Sequence, residues 1–126
     1  MIENEIKDYA VTEIGTIQIS PQVIEVITKL STIEVEGVAG LSGGFTEGIV
    51  EFLGRNKNTT KGIKVEVGQK ETAVDVSVII KYGYPIPKVA EEIQQSVKNA
   101  IESMTELTVV EVNVHIDAIQ IEEKDE

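Results

Sequence analysis

Two runs in the middle of the chain alternate strictly between apolar and polar residues. Ile63, Val65 and Val67 alternate with Lys64, Glu66 and Gly68. After the polar turn Gln69-Lys70-Glu71, Val74, Val76, Val78, Ile80 and Tyr82 share one face, with Asp75, Ser77 and Lys81 on the other. A period of two puts successive side chains on opposite sides of a strand, so the pair reads as a β-hairpin with one buried face. From Pro87 the period lengthens to that of a helix. Val89, Ala90, Ile93, Val97, Ala100, Ile101 and Met104 form one stripe, opposite Lys88, Glu91, Glu92, Gln95, Lys98 and Glu102. Alternation then returns, with Val110, Val112, Val114, Ile116 and Ala118 inward and Glu111, Asn113, His115 and Asp117 outward.

The first third is less regular. Ile17 and Ile19 alternate with Thr16 and Gln18 in a short strand from Ile14 to Ile19. Ser20-Pro21 then offers a hydroxyl N-cap and a proline at the first helical position, where its missing N–H costs nothing. The predicted helix ends near Gly37 and puts Val23, Ile24, Ile27 and Leu30 on one side, with Gln22, Glu25, Lys29 and Thr32 on the other. Between Val35 and Gly62 lie six of the ten glycines (Gly37, Gly40, Gly43, Gly44, Gly48 and Gly54), mixed with Val38, Leu41, Phe45, Ile49, Val50, Phe52 and Leu53. Glycine at that density raises the cost of ordering the backbone, so this is the segment expected to move. One or two helical turns from Thr46 would either plug the core or act as a docking element. Arg55 to Gly62 is a polar, basic loop.

The element order is β-α-(mobile segment)-β-β-α-β. Strands with one apolar and one wet face require both helices to cover the same side, which predicts an α+β two-layer sandwich with a mixed sheet. A ferredoxin-like strand order is compatible with it. At 126 residues the chain suits one core. Residues 14–121 form the expected domain, between a flexible acidic N-terminal segment (1–13) and an acidic tail (122–126).

Composition narrows the chemistry. A net charge of −11 repels phosphate backbones and anionic headgroups. Without cysteine there are no disulfides, thiolate nucleophiles or sulfur-ligated metals. The start of the chain has neither a basic leader nor an apolar run, and no stretch is apolar enough to span a bilayer, so a cytoplasmic location is expected. His115, the single histidine, shares the polar sheet face with Glu111 and Asp117 and reads as a solvated side chain rather than as a metal or acid–base centre. No phosphate-loop pattern occurs. Gly40-Leu41-Ser42-Gly43 matches the bare GxxG of a KH loop, which makes an RNA-binding KH-like module the alternative reading. Against it, no lysine or arginine lies within the motif, and Glu34 and Glu36 precede it.

Several blocks together resemble a known family. They are Gly15-Thr16-Ile17-Gln18-Ile19-Ser20-Pro21-Gln22-Val23-Ile24, Glu36-Gly37-Val38-Ala39-Gly40-Leu41, Gly62-Ile63-Lys64-Val65-Glu66-Val67-Gly68, Tyr82-Gly83, Ile86-Pro87 and Val112-Asn113-Val114-His115. In order and spacing they are similar to the alkaline shock protein or Gls-type general stress family, from about Gly15 to Ile119. The resemblance implies a non-enzymatic bacterial protein of cell-envelope homeostasis or of fatty-acid synthesis control. The implied partner is a membrane anchor protein or acetyl-CoA carboxylase subunits, and no catalytic residue, cofactor or metal is implied. The chain departs from the family pattern at Glu106, where glycine is usual, and at Pro85. The first departure puts a left-handed helix cap in question.

The expected job is therefore recognition of a protein partner, with self-association through a strand edge or the segment from Phe45 to Leu53. The candidate partner-binding residues are Phe45, Ile49, Phe52, Leu53 and Tyr84. Tyr82 is expected to continue the buried face of its strand, and Tyr84 to stand exposed beside Pro85.

Overall fold

The computed structural model describes residues 9–43 and 61–121. Elements run β1 (Tyr9–Thr12), β2 (Gly15–Gln18), α1 (Pro21–Ile33), β3 (Val38–Leu41), β4 (Ile63–Val67), β5 (Glu71–Lys81), α2 (Ile86–Thr105) and β6 (Thr108–Gln120). The fold is the α+β sandwich that the alternation implies. β5 is the spine of a mixed sheet, parallel to β6 along one side and antiparallel to two short strands on the other. β4 pairs with its first half (Ile63 opposite Val76, Val67 opposite Thr72) and β3 with its second (Val38 opposite Ile80, Leu41 opposite Val78).

The β5 alternation works as read. Val74, Val76, Val78 and Ile80 are buried and meet Ile24 and Ile27 of α1 and Val89, Ile93, Val97 and Ile101 of α2 in one core, so both helices lie on one face of the sheet. α2 is amphipathic along its whole length, and burial of that one stripe is what holds it.

Four details depart from the expectation. The strand at Gly15–Gln18 joins no main sheet; it pairs with Tyr9–Thr12 in a separate antiparallel hairpin that begins within the segment 1–13, and a ferredoxin-like order does not form. β3 is an unforeseen strand inside the glycine-rich stretch, short enough at four residues to leave no periodicity. In β6, register shifts opposite Thr72/Ala73 and Val78/Ile79 insert Val110 and Asp117 as bulges. Val109 is therefore the buried residue and Val110 and Ala118 are exposed, while Val112, Val114 and Ile116 pack against the core as expected. Lastly, α1 ends at Ile33 rather than near Gly37, and Ser20 takes the N-cap position ahead of Pro21 without a side-chain cap bond.

Glu106 keeps the left-handed cap despite its side chain. Its φ of 68° and ψ of 8° close α2, and its N–H donates to the Glu102 carbonyl at 3.0 Å. The glycine usual at such a cap is replaced here without loss of the geometry.

Candidate interaction site

α1 carries apolar residues over more than half of its circumference, and which of them face inward decides what the surface offers. The structure buries Ile24, Ile27, Thr28, Ser31 and Thr32. Two of the three hydroxyl residues are tolerated because a helix supplies local acceptors: Thr28 donates to the Ile24 carbonyl at 2.8 Å and Ser31 to the Ile27 carbonyl at 2.7 Å, whereas the Thr32 hydroxyl is left unpaired. Val23 and Leu30, expected on the core side, are instead 45% and 52% exposed, and Ile33 is 43% exposed. Thr32, expected on the wet side, is fully buried.

The residues turned outward have company. Val23, Val26, Ile27 and Leu30 of α1, with Glu34 at its C-cap, face Ser96, Asn99, Ala100, Ser103 and Met104 of α2 across a groove of about 820 Å³. Met104 is 68% exposed at its mouth. Ser96 Oγ donates to the Ser31 carbonyl at 3.0 Å, so the helices are tied near the end of α1. The start of α1 lies toward the end of α2, where Ile17 and Ile19 share a second cleft with Met104 and Leu107. The two helices therefore run antiparallel. A stripe at positions 23, 26, 30 and 33 has the 3-4-3 spacing of a helix–helix seam. That spacing was the available sequence signal for the groove. It was masked because Ile24 and Ile27 offered a second stripe on the same helix.

The polar face of the sheet is a surface of paired groups. Asn113 Nδ2 donates to Asp75 Oδ1 at 2.8 Å, and Ser42 Oγ donates to Asp117 Oδ2 at 2.8 Å. His115 is exposed on this face, beside a shallow hollow shared with Ser77, Asp75 and Asp117. Among the described residues, no three histidine or acidic side chains converge as a metal would require. Gly40 and Leu41 lie in β3, and Ser42 is engaged by Asp117, so the GxxG residues do not form the free loop that clamps an RNA backbone.

Two tyrosines exchange their expected places. β5 stops at Lys81, and the turn at Gly83 (φ 102°) carries Tyr82 into solvent at 75% exposure. Tyr84 instead packs against the core, its ring beside Gly37. Phe45, Ile49, Phe52 and Leu53 lie outside the described residues.

At the far side of α2, Glu102 closes the start of β6. Its Oε2 accepts from Lys98 Nζ at 2.8 Å and from the Val109 N–H at 2.9 Å. The Lys98 hydrogen bond first, then that of Val109, holds its carboxyl below the usual carboxylate range. Gln94 Nε2 similarly donates to the Val112 carbonyl at 2.9 Å. Side chains of α2 thus occupy backbone groups of β6, which blunts that strand as a template for another chain.

Residues 9–121 match the profile of the alkaline shock (Gls24) family, described as having a cell envelope-related function. Over 117 residues the chain is 38% identical to YqhY of Bacillus subtilis strain 168, covering 93% of this chain and 86% of that protein. It is 33% identical over 123 residues to a stress response regulator gls24 homolog of Streptococcus pyogenes, covering 98% of this chain and 69% of the relative. A solved MamM C-terminal-domain structure aligns at a TM-score of 0.48 and 12% identity, covering 79% of this chain and 99% of that one, and carries no functional weight.

Proposed function

Because this chain belongs to the alkaline shock (Gls24) family, whose function is cell envelope-related, we propose that it is a non-catalytic stress-response module that acts by binding a protein partner. The observation that carries this reading is the groove between α1 and α2. Protein surfaces rarely leave Val23, Leu30 and Met104 this exposed around one groove without a use for them. No described helix is long and apolar enough to cross a membrane.

Replacement of the chromosomal copy tests it. Leu30→Glu puts a charge into the groove at an already half-exposed position, and is expected to lower survival of envelope stress to the level of a deletion strain while circular dichroism and protein abundance stay unchanged. His115→Ala is expected to behave as wild type. Loss of survival with His115→Ala and full survival with Leu30→Glu would overturn the reading. Mass spectrometry of crosslinked neighbours then distinguishes a membrane anchor from acetyl-CoA carboxylase subunits.

A further inference from the structure

We propose that the α1–α2 groove holds an amphipathic helix of a different protein, one that carries lysine or arginine beside its apolar stripe; this rests on the interaction reading above and names the chemistry of the partner. Shape is the first argument. Antiparallel helices present parallel ridges, and the outward stripe of α1 that lines the groove, Val23, Val26 and Leu30, is about 10 Å long at 1.5 Å per residue, the span of an i, i+3, i+7 set of anchors. Small residues on α2 (Ser96, Ala100 and Ser103) form the opposite wall and let a third helix approach closely.

Hydrogen bonding is the second argument. The hydroxyls along the middle of the groove are engaged within the protein; that of Ser20, at its end, makes no side-chain cap bond. Ser31 donates to the Ile27 carbonyl, Ser96 to the Ser31 carbonyl and Ser103 to the Ala100 carbonyl at 3.3 Å. Covering these three with apolar side chains strands none of their donors, so the burial cost falls on Ser20, Gln22 and Asn99 alone.

Charge decides among apolar occupants. Glu34 is the only ionised side chain lining the groove among the described residues. Glu92 lies on the same flank of α2, one turn before Ser96, and its exposed partner Lys88 is 4.0 Å away, a pair of little strength. A second copy carries the same net charge of −11, which opposes its approach. An anionic membrane surface meets the same repulsion. A basic amphipathic helix is attracted by the rim and buries its stripe on the floor.

The probe is a synthetic helix of about 18 residues built from leucine, alanine and lysine, with the leucines on one stripe, titrated against the full chain by fluorescence anisotropy. Two comparison peptides share its length: one has the same composition with the leucines distributed around the helix, the other has glutamate in place of every lysine. Saturable binding of the striped basic peptide is expected, weakened about tenfold or more by Leu30→Gln or Met104→Gln and weaker in high salt, with both comparison peptides binding far less. Equal binding of the distributed peptide, or indifference to both substitutions, would show mere charge attraction and overturn the proposal. So would Leu30-dependent dimerisation in sedimentation velocity, or Leu30-dependent sedimentation with anionic phosphatidylglycerol vesicles. If the peptide fails while Leu30→Glu still abolishes stress survival, the partner class is wrong and the interaction reading stands.

Discussion

Thr32→Val tests the orientation of α1 and therefore the existence of the groove. Thr32 is fully buried, and its Oγ1 has no hydrogen-bond partner among the described residues. The carbonyl one turn back, that of Thr28, already accepts from Ser31 Oγ at 3.3 Å. A buried hydroxyl left unpaired costs about 1–3 kcal/mol, valine has the same shape, and the two residues have similar helix propensity. Thr32→Val should therefore raise stability by about 1–2 kcal/mol. The expected melting-temperature rise is roughly 3–8 °C for a domain of this size. Thr28→Val is the contrast: it removes a bonded hydroxyl, and the lost hydrogen bond offsets the gain in apolar burial to within about 0.5 kcal/mol. Urea unfolding of the three proteins, compared at constant m-value, reads the difference. A lower midpoint for Thr32→Val, or a larger gain for Thr28→Val than for Thr32→Val, would mean that α1 turns another face to the core.

Three other substitutions probe separate devices. Glu106→Gly relieves a left-handed conformation that a side chain disfavours, and should stabilise by about 0.5 kcal/mol after the extra freedom of glycine in the unfolded chain is counted, read as a higher urea midpoint. Gly37→Ala should destabilise by about 2–3 kcal/mol in the same assay, since φ is 101° and the added carbon would lie 2.9 Å from Tyr84 Cδ2 and 3.0 Å from Val89 Cγ2. Glu102 has a lowered folded-state pKa, so its contribution is present above the ordinary carboxylate value and fades as pH falls through the lower folded value. Glu102→Gln should remove that part of the acid sensitivity, and an unaltered slope of stability against pH below about 4.5 would contradict the role given to Lys98 and Val109.

What the sequence disclosed follows from how many solutions each pattern allowed. β5 and α2 each carry one main apolar face, buried as read at Val74, Val76, Val78 and Ile80 and at Val89, Ile93, Val97 and Ile101, while Tyr82 and Met104 at the ends of those runs are exposed. α1 carries Val23, Ile24, Val26, Ile27, Leu30 and Ile33 together, so periodicity could not choose between its faces. The choice fell to Thr28 and Ser31, which hide in a helix by bonding its own carbonyls, and to Thr32, which is buried with its hydroxyl unpaired. Tyr82 and Tyr84 exchanged places because alternation says nothing about where a strand stops. Val110 and Ala118 were assigned inward because a bulge shifts the repeat without leaving a mark in composition. The family was legible from its blocks, whereas the groove needed two helices to be placed side by side.

A photoreactive residue at Leu30, compared with one at Asn113 on the polar sheet face, measures the central claim directly in living cells. Illumination should join a discrete protein partner to the protein labelled at Leu30 and leave the one labelled at Asn113 uncoupled. Capture from Asn113 with none from Leu30 would place recognition on the opposite side of the molecule and contradict the account.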